Sequence, residues 1–272
     1  MNTAFAVVVG AGLLLIAVLV GQPLLVVRRR ARLAGAAPGR RDRALLRRHL
    51  PQYRRLPAPL RRRLEQRIAV FLGEKEFVGC RGLTVTPSMR LLITAQACLL
   101  GLGRDQHGYD RLRAVLIYPA QFVVPERWED EDGVVTEEER VLAGQAWDVS
   151  RILLSWADVR QAGGAEPYNV VIHEFAHYLD HEAGGDDGVP WLPSAAAREQ
   201  WRTLLERELA DLRAVIARGA EPWLDPYAAE DAGEFFAVAS EAFFEQPREL
   251  AARHPQLYRG LAAGYGLDPA AW

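Results

Sequence analysis

The chain has 272 residues, 50% of them hydrophobic, so it is long enough to bury a substantial core and is not a disordered tail. Its formal net charge of -2 at pH 7 hides an asymmetry, because residues 28–67 contain fifteen arginines and only two carboxylates, Asp42 and Glu65. A basic block of this kind can indicate nucleic-acid binding, but here it directly follows a hydrophobic segment, and membrane topology explains it more simply. No direct nucleic-acid partner is therefore predicted.

The amino-terminal segment predicts a membrane anchor. Residues 4–27 carry no charge, and such a run is long enough, as a helix, to cross a bilayer core of about 30 Å. A cleaved signal sequence is disfavoured because the amino end is neutral and the arginines follow the apolar run. The positive-inside rule predicts a single-pass protein of the inner (cytoplasmic) membrane whose main domain faces the cytoplasm. The alternative is an apolar helix packed in the core.

The chain is predicted to have three regions. Residues 1–27 form the transmembrane anchor, and residues 28–43, rich in Gly, Ala, Pro and Arg, form a basic juxtamembrane linker. The arginines of this linker are expected near anionic lipid head groups. Residues 44–272 then form one domain.

The first segments of this domain predict helices. Apolar residues recur at helical spacing over 45–72, and three prolines interrupt the pattern, so two or three short helices are expected. Thr86 is predicted to begin a strongly apolar core helix that runs to about Leu102. Within it, Cys98 is expected to be a small buried hydrophobe. Cys98 and Cys80 are both predicted to be thiols, because the cytoplasm is reducing, and neither has the spacing of a metal site.

Two runs dense in β-branched and aromatic residues, 113–124 and 151–156, predict strands. Pro119 cannot donate a ladder hydrogen bond, which favours an edge position or a bulge for the first strand. At such an edge, either a peptide could add as an extra strand or the protein itself could cover the edge. The acidic segment between the runs, 126–139, is predicted to be a surface loop.

The most informative motif is an H-E-x-x-H sequence from His173 to His177. Residues four apart lie on one face of an α-helix, so both imidazoles can reach one tetrahedral zinc ion. Glu174 is predicted to be a general base rather than a ligand, because a zinc hydrolase needs a nearby carboxylate to take the proton of the attacking water. His181 extends the repeat, but on a continuous helix it would lie about 12 Å along the axis from His173, too far to share the ion.

The third ligand is expected on a second buried helix, residues 233–246. Its carboxylates Glu234, Glu241 and Glu245 fall close to one face, and the flanking phenylalanines indicate that the helix is largely buried. Burying a carboxylate without a charged or metal partner is costly, so at least one is expected to meet the metal. Spacing alone leaves Glu234 and Glu241 as alternatives, and Glu241 or Glu230 as the acceptor that orients a histidine.

Two longer stretches, 171–193 and 225–245, closely resemble the Mlc titration factor A family of zinc peptidases. The resemblance implies that Glu234, seven residues after Tyr227, is the third zinc ligand and that the tyrosine assists the transition state. A phenol near the metal can donate a hydrogen bond to the oxyanion, which agrees with that role. The resemblance also implies aminopeptidase-like cleavage of small peptides, and relatives that sequester a glucose-responsive transcriptional repressor.

Together these features predict an α+β, zincin-like metallopeptidase domain, mainly helical with a small mixed sheet, preceded by one transmembrane helix. The predicted activity is zinc-dependent hydrolysis of peptide bonds by an enzyme of the gluzincin type. In this interpretation His173, His177 and Glu234 bind Zn²⁺, Glu174 activates water and Tyr227 stabilises the tetrahedral intermediate. The alternative is a membrane-tethered anti-repressor that binds and sequesters a transcriptional regulator.

Overall fold

The amino-terminal half of the domain is a group of helices. The computed structural model describes residues 21–104, 109–129, 135–142, 144–148, 150–162, 168–185, 187–190 and 192–272. Its first helices are α1 (21–34), α2 (Arg40–His49), α3 (Pro51–Arg55), α4 (Ala58–Glu74) and α5 (Pro87–Leu100). The short helices predicted over 45–72 are therefore confirmed, as is the core helix after Thr86, whose side chain caps it by accepting the N–H of Met89 at 3.3 Å.

The prediction of a membrane anchor has to be corrected. In the part of the chain that the structure describes, no helix is long and apolar enough to cross a membrane, so the predicted single-pass membrane location is wrong. Within the described residues the uncharged part of α1 is only 21–27, because arginines follow from Arg28, whereas a span needs about 20 mostly apolar residues. Residues 4–20 of the predicted span lie outside the described residues. The division into anchor, linker and domain stays a prediction.

Helix α1 packs against α4. Arg30 makes a two-pronged ion pair with Glu74, with N···O distances of 2.8 and 2.9 Å, and a further ion pair with Asp110. Leu33 lies so close to Gly73 that a Cβ added to the glycine would be 2.5 Å from Leu33 Cδ2. Residues 28–34 are therefore part of a helix that packs against α4.

The fold also contains a four-stranded mixed sheet. Its strands are β1 (Glu76–Gly79), β2 (Ala114–Tyr118), β5 (Gly144–Asp148) and β6 (Arg151–Ser155), in the order β1-β2-β6-β5. The first two pairings are parallel, and β5 joins the edge in antiparallel orientation. The strand predicted over 151–156 is confirmed by β6, whereas the run 113–124, predicted as one strand, divides at 119–121 into β2 and the start of a further strand, β3 (Phe122–Glu129). Pro119 follows β2, which is an interior strand, so the proline is outside the ladder and does not mark an edge.

The prediction of a surface loop over 126–139 is wrong in part. Strands β3 (Phe122–Glu129) and β4 (Val135–Leu142) pair with each other as a separate antiparallel hairpin. The glutamates of this segment argued for a loop, but the ladder satisfies backbone N–H and C=O groups whatever the charge of the side chains.

The carboxyl-terminal half supplies a second helical layer. Its elements are α6 (Trp156–Val159), α7 (Val170–Glu182), α8 (Ala195–Ala217), a 3₁₀ turn (Pro226–Ala229), α9 (Ala232–Glu245), α10 (Pro247–Arg253), α11 (Pro255–Tyr265) and a final 3₁₀ turn (Pro269–Ala271). Helix α7 lies between the β5–β6 edge of the sheet and α9. Phe243 and Phe244 of α9 are fully buried and contact Tyr265 of α11, with ring centroids 5.5 and 5.1 Å apart. The fold is thus mainly helical with a small mixed sheet, as predicted.

Candidate metal centre

Helix α7 carries the two histidines of the H-E-x-x-H sequence one turn apart. Asn169 begins the helix, because its Oδ1 accepts the N–H of Ile172 at 3.2 Å, and Gly184 follows it in the left-handed conformation at a φ of +104°. The buried apolar face of α7 fixes its rotation against the sheet, so that both imidazoles point towards α9. The Nε2 atoms of His173 and His177 are 3.2 Å apart.

Helix α9 brings a carboxylate to the same point. Its N-cap, Asp231, accepts the N–H of Glu234 at 2.9 Å and so places Glu234 in the first turn. The Oε2 atom of Glu234 lies 3.1 Å from His173 Nε2 and 3.3 Å from His177 Nε2. This oxygen is buried and accepts no hydrogen bond of good geometry. Two imidazole nitrogens and a carboxylate oxygen, all of which can bind a proton or a cation, therefore face one another and form an acceptor cluster.

The spacing of these atoms fits a tetrahedral metal site. Bonds of about 2.0–2.1 Å from a tetrahedral zinc ion put neighbouring ligand atoms about 3.3 Å apart. The three measured separations, 3.2, 3.1 and 3.3 Å, match that edge. In the described part of the chain, His173, His177 and Glu234 form the group of side chains able to hold a metal ion. The donor set of two imidazoles and a carboxylate also suits zinc chemically.

Glu241 takes the second of the two roles that spacing left open. Two turns beyond Glu234 on α9, it places Oε1 2.8 Å from Nδ1 of His173, on the far side of the ring from the acceptor cluster. Its other oxygen accepts the backbone N–H of Asn169. Glu241 is 3% exposed, so the pair lies in the interior. Glu230, the other predicted acceptor, is exposed and contacts neither histidine among the described residues.

Electrostatics at this centre are dominated by burial and by close carboxylates. Burial raises the pKa of Glu174 to about 7, although His173 and His177 act in the opposite direction. Burial by itself lowers the pKa of His173, but the two carboxylates that face its ring, Glu234 and Glu241, outweigh burial and raise that pKa well above its usual value. A buried carboxyl beside the imidazoles, with a pKa near neutrality, has the property expected of a group that exchanges protons.

Tyr227 lies at the open side of the cluster. The 3₁₀ turn holds it, with its backbone N–H donating to Asp225 Oδ1 at 2.9 Å. Its hydroxyl donates to Glu234 Oε1 at 3.1 Å, and its ring centroid is 6.0 Å from that of His173. The side chain is 41% exposed, so its hydroxyl lies at the boundary between the cluster and solvent. Burial and the neighbouring Glu234 raise the pKa of the phenol, which keeps it a proton donor at neutral pH.

His181 lies outside the cluster, and a contact between Asn169 and Glu245 was not predicted. His181 is exposed near the end of α7 and does not join the group. The backbone N–H of Asn169 donates to Glu241, and the side-chain Nδ2 of Asn169 donates to Glu245 Oε1 at 2.6 Å. An asparagine directly before an apolar helical run is a recognisable helix start, so Asn169 had a sequence signal. The direction of the Glu245 side chain had none.

The fold and the His-His-Glu cluster define a domain of the metallopeptidase type. The chain belongs to the family described as glucose-regulated metallo-peptidase M90, whose model matches residues 25–266. Among its relatives, Mlc titration factor A of Klebsiella pneumoniae strain 342 is 35% identical over 223 residues, which is 81% of this chain and 84% of the relative. Mlc titration factor A of Pectobacterium atrosepticum is 35% identical over 227 residues, 79% and 84% of the two chains.

A third relative, an uncharacterized protein of Synechocystis sp., is 37% identical over 229 residues, 83% of each chain. These similarities confirm the resemblance to the Mlc titration factor A family and extend it over most of the chain. They support a metallopeptidase whose substrates are peptides.

Proposed function

We propose that this protein is a zinc-dependent peptidase of the gluzincin type, in which His173, His177 and Glu234 bind the metal. One observation carries the proposal: the two Nε2 atoms and Glu234 Oε2 converge at 3.1–3.3 Å from one another, and the oxygen is buried without a hydrogen bond. Bringing these acceptors together costs free energy unless a cation or proton lies between them. Membership of a metallopeptidase family supports the cation.

The protein's own groups supply the proton transfers. When bound, zinc would polarise the attacking water and the scissile carbonyl. Glu174 accepts the proton of that water and returns it to the leaving amine, a cycle that suits a carboxyl whose pKa burial has raised to about 7. Tyr227 donates a hydrogen bond from its hydroxyl to the oxyanion of the tetrahedral intermediate. Glu241 holds the ring of His173 through Nδ1, so that Nε2 faces His177 and Glu234, where the metal would bind.

The substrate class is peptides, and we propose a preference for short peptides with a free amino terminus. This aminopeptidase-like preference rests on the resemblance to the Mlc titration factor A family. The test compares hydrolysis of chromogenic amino-acid and peptide substrates with hydrolysis of the same substrates blocked at the amino end. Equal rates on blocked and free peptides would reject the preference while leaving the peptidase activity standing.

The test of the activity uses the full chain and a Glu174→Gln variant. Zinc content and peptide hydrolysis are measured before and after removal of the metal with a chelator and its replacement. We expect one zinc per chain in both proteins, with hydrolysis that disappears with the chelator, returns with zinc and falls by orders of magnitude in Glu174→Gln. Hydrolysis that survives Glu174→Gln would reject the role of Glu174, and a chain that binds no zinc would reject the proposal.

A second candidate function is binding of a regulatory protein. The name of the relatives, Mlc titration factor A, describes titration of a partner, and these relatives match most of the chain. The two functions separate in Glu174→Gln, because capture of a protein partner needs the surface and not the base. Retention of Mlc by this variant in a pull-down with purified protein, together with lost hydrolysis, would show both functions. Absence of binding in the parent chain would reject the second.

A further inference from the structure

The buried residue Asn169 joins the start of α7 to two carboxylates of α9. Its Oδ1 accepts the N–H of Ile172 at 3.2 Å, its Nδ2 donates to Glu245 Oε1 at 2.6 Å, and its backbone N–H donates to Glu241 Oε2. The residue is 1% exposed. We infer that Asn169 and Glu245 are positioning residues that fix the Glu241–His173 pair of the metal centre, an inference that rests on the proposed zinc site.

The first step concerns the tautomer of His173. Nδ1 of this ring is 2.8 Å from Glu241 Oε1, while Nε2 faces His177 and Glu234. A carboxylate only accepts hydrogen bonds, so Nδ1 carries the proton and Nε2 presents its lone pair to a metal. An outer carboxylate of this kind holds both the tautomer and the plane of the ring. The orientation of Glu241 therefore decides the orientation of His173.

The second step concerns what orients Glu241. One of its oxygens faces His173, and the other accepts the backbone N–H of Asn169, so the carboxylate is held at both ends. The direction of that N–H depends on the backbone of Asn169, which is extended at φ -149° and ψ 91°. The two side-chain hydrogen bonds of Asn169 fix this conformation: one ties it to α7 and the other to the last residue of α9.

The third step explains why the residue is asparagine. Serine, threonine and aspartate cap helices as well as asparagine does. Among these side chains, only asparagine has both an oxygen for the cap and an amide N–H₂ that can donate to Glu245 at the same time. A pure capping role would be met by serine, whereas the positioning role needs the amide. The two roles are thus separable by substitution.

The experiment compares Asn169→Ser with Ser194→Ala in the full chain. Serine at 169 keeps an oxygen for the cap but is too short to reach Glu245. Ser194→Ala removes the N-cap of α8, whose Oγ accepts the N–H of Ala197 at 3.1 Å, and leaves the metal centre intact. Zinc alone is titrated in competition with a chromophoric chelator, the metal-free unfolding temperature is measured, and the ¹⁵N resonances of His173 report its tautomer.

We expect Asn169→Ser to weaken zinc binding by about 10-fold, the lower end of the range for partners of metal ligands, because Asn169 acts through Glu241. Its metal-free unfolding temperature should also fall, because Glu245 loses a hydrogen-bond donor, and the proton on His173 Nδ1 should exchange faster with solvent. Ser194→Ala should lower the unfolding temperature as well, but zinc affinity and the exchange of the His173 proton should not change. Zinc affinity at the parent value in Asn169→Ser, or a loss no larger than in Ser194→Ala, would overturn the inference.

Glu245→Ala tests the other end of the contact and keeps the inference falsifiable if Asn169→Ser does not fold. It should weaken zinc binding to a similar extent, and the double variant should lose little more than either single one. Additive losses would overturn the link between the two residues. Since zinc is the only probe, tight binding that falls in both variants, without any peptide hydrolysis, would support the positioning role and reject the proposed peptidase. A parent chain that binds no zinc would overturn both.

Discussion

Tyr227 presents its hydroxyl to the carboxylate that faces the two imidazoles, 3.1 Å from Glu234 Oε1. In Tyr227→Phe, kcat for peptide hydrolysis should fall by about 10²- to 10³-fold, because a hydrogen bond to the oxyanion is lost, with little change in KM. Zinc content should not change. Tyr258→Phe is the matched control, since its hydroxyl bonds to Asp268 near the carboxyl terminus. Equal kcat in Tyr227→Phe and the parent chain would remove the tyrosine from the mechanism.

The two cysteines differ in reactivity for a physical reason. Cys98 is 3% exposed within α5, and burial raises the pKa of its thiol to about 12, whereas Cys80 is half-buried after β1. A chromogenic disulfide reagent at about pH 8 should therefore modify Cys80 in the folded protein and Cys98 only after denaturation. Mass spectrometry of the modified peptides identifies the site. Rapid modification of Cys98 in the native protein would contradict its position in the core.

Helices α2, α3 and α4 are joined by a single carboxylate. Glu65 of α4 is 6% exposed and accepts hydrogen bonds from Tyr53 at 2.6 Å and from Arg43 at 2.8 Å. Glu65→Gln should lower the free energy of unfolding by about 1–3 kcal/mol, because hydrogen bonds to a charged group are replaced by weaker ones. Urea denaturation measures the difference. Arg202→Gln, which breaks a half-exposed ion pair with Asp187, should cost less than about 1 kcal/mol.

The effect of Glu65 also depends on pH. Burial pushes its pKa up, but hydrogen bonds with Arg43 and Tyr53 outweigh burial, so the folded-state pKa lies below its usual value. The stabilisation is then complete above the unfolded pKa of about 4.3 and is lost as the pH falls through the folded value. The gap between parent and Glu65→Gln should therefore shrink under acidic conditions. A gap that widens on acidification would contradict the sign of this shift.

Elements that follow from local patterns were predictable, and those that depend on pairing were not. Helices α7 and α9 have apolar faces and capping residues within a few positions, so their existence and burial could be inferred from the sequence. The β3–β4 hairpin could not, because its strands are stabilised by each other's backbones and their acidic composition indicated a loop. The place of β2 inside the sheet depends on β1 and β6, which are distant in sequence.

The candidate site shows the same division. The H-E-x-x-H spacing placed His173 and His177 on one face, but Glu234 and Glu241 share a face too, and periodicity cannot distinguish them. The difference comes from how α9 crosses α7: the first turn of α9 faces Nε2 of His173, and the third turn faces Nδ1. Only the family resemblance favoured Glu234 before the geometry was known. Contacts such as that between Asn169 and Glu245 depend on side-chain directions that no pattern encodes.

At the scale of the whole molecule, α1 is part of the folded body. Arg30 is 18% exposed and pairs with Glu74, which is 12% exposed, and with Asp110. Arg30→Ala should lower the free energy of unfolding by about 1–3 kcal/mol, because it leaves Glu74 largely buried without its partner. Zinc affinity should be unchanged, since α1 and α4 supply no atom of the cluster. Unchanged stability would indicate that α1 does not remain docked in solution.

The central claim is that one zinc ion lies between His173, His177 and Glu234. Anomalous diffraction at the zinc edge from crystals of the zinc-loaded full chain tests it most directly. The structure predicts a single strong peak about 2.0–2.2 Å from both Nε2 atoms and from an oxygen of Glu234, with Glu241 still on Nδ1 of His173. A peak bound by Glu241 in place of Glu234, or no peak between the two histidines, would contradict the account.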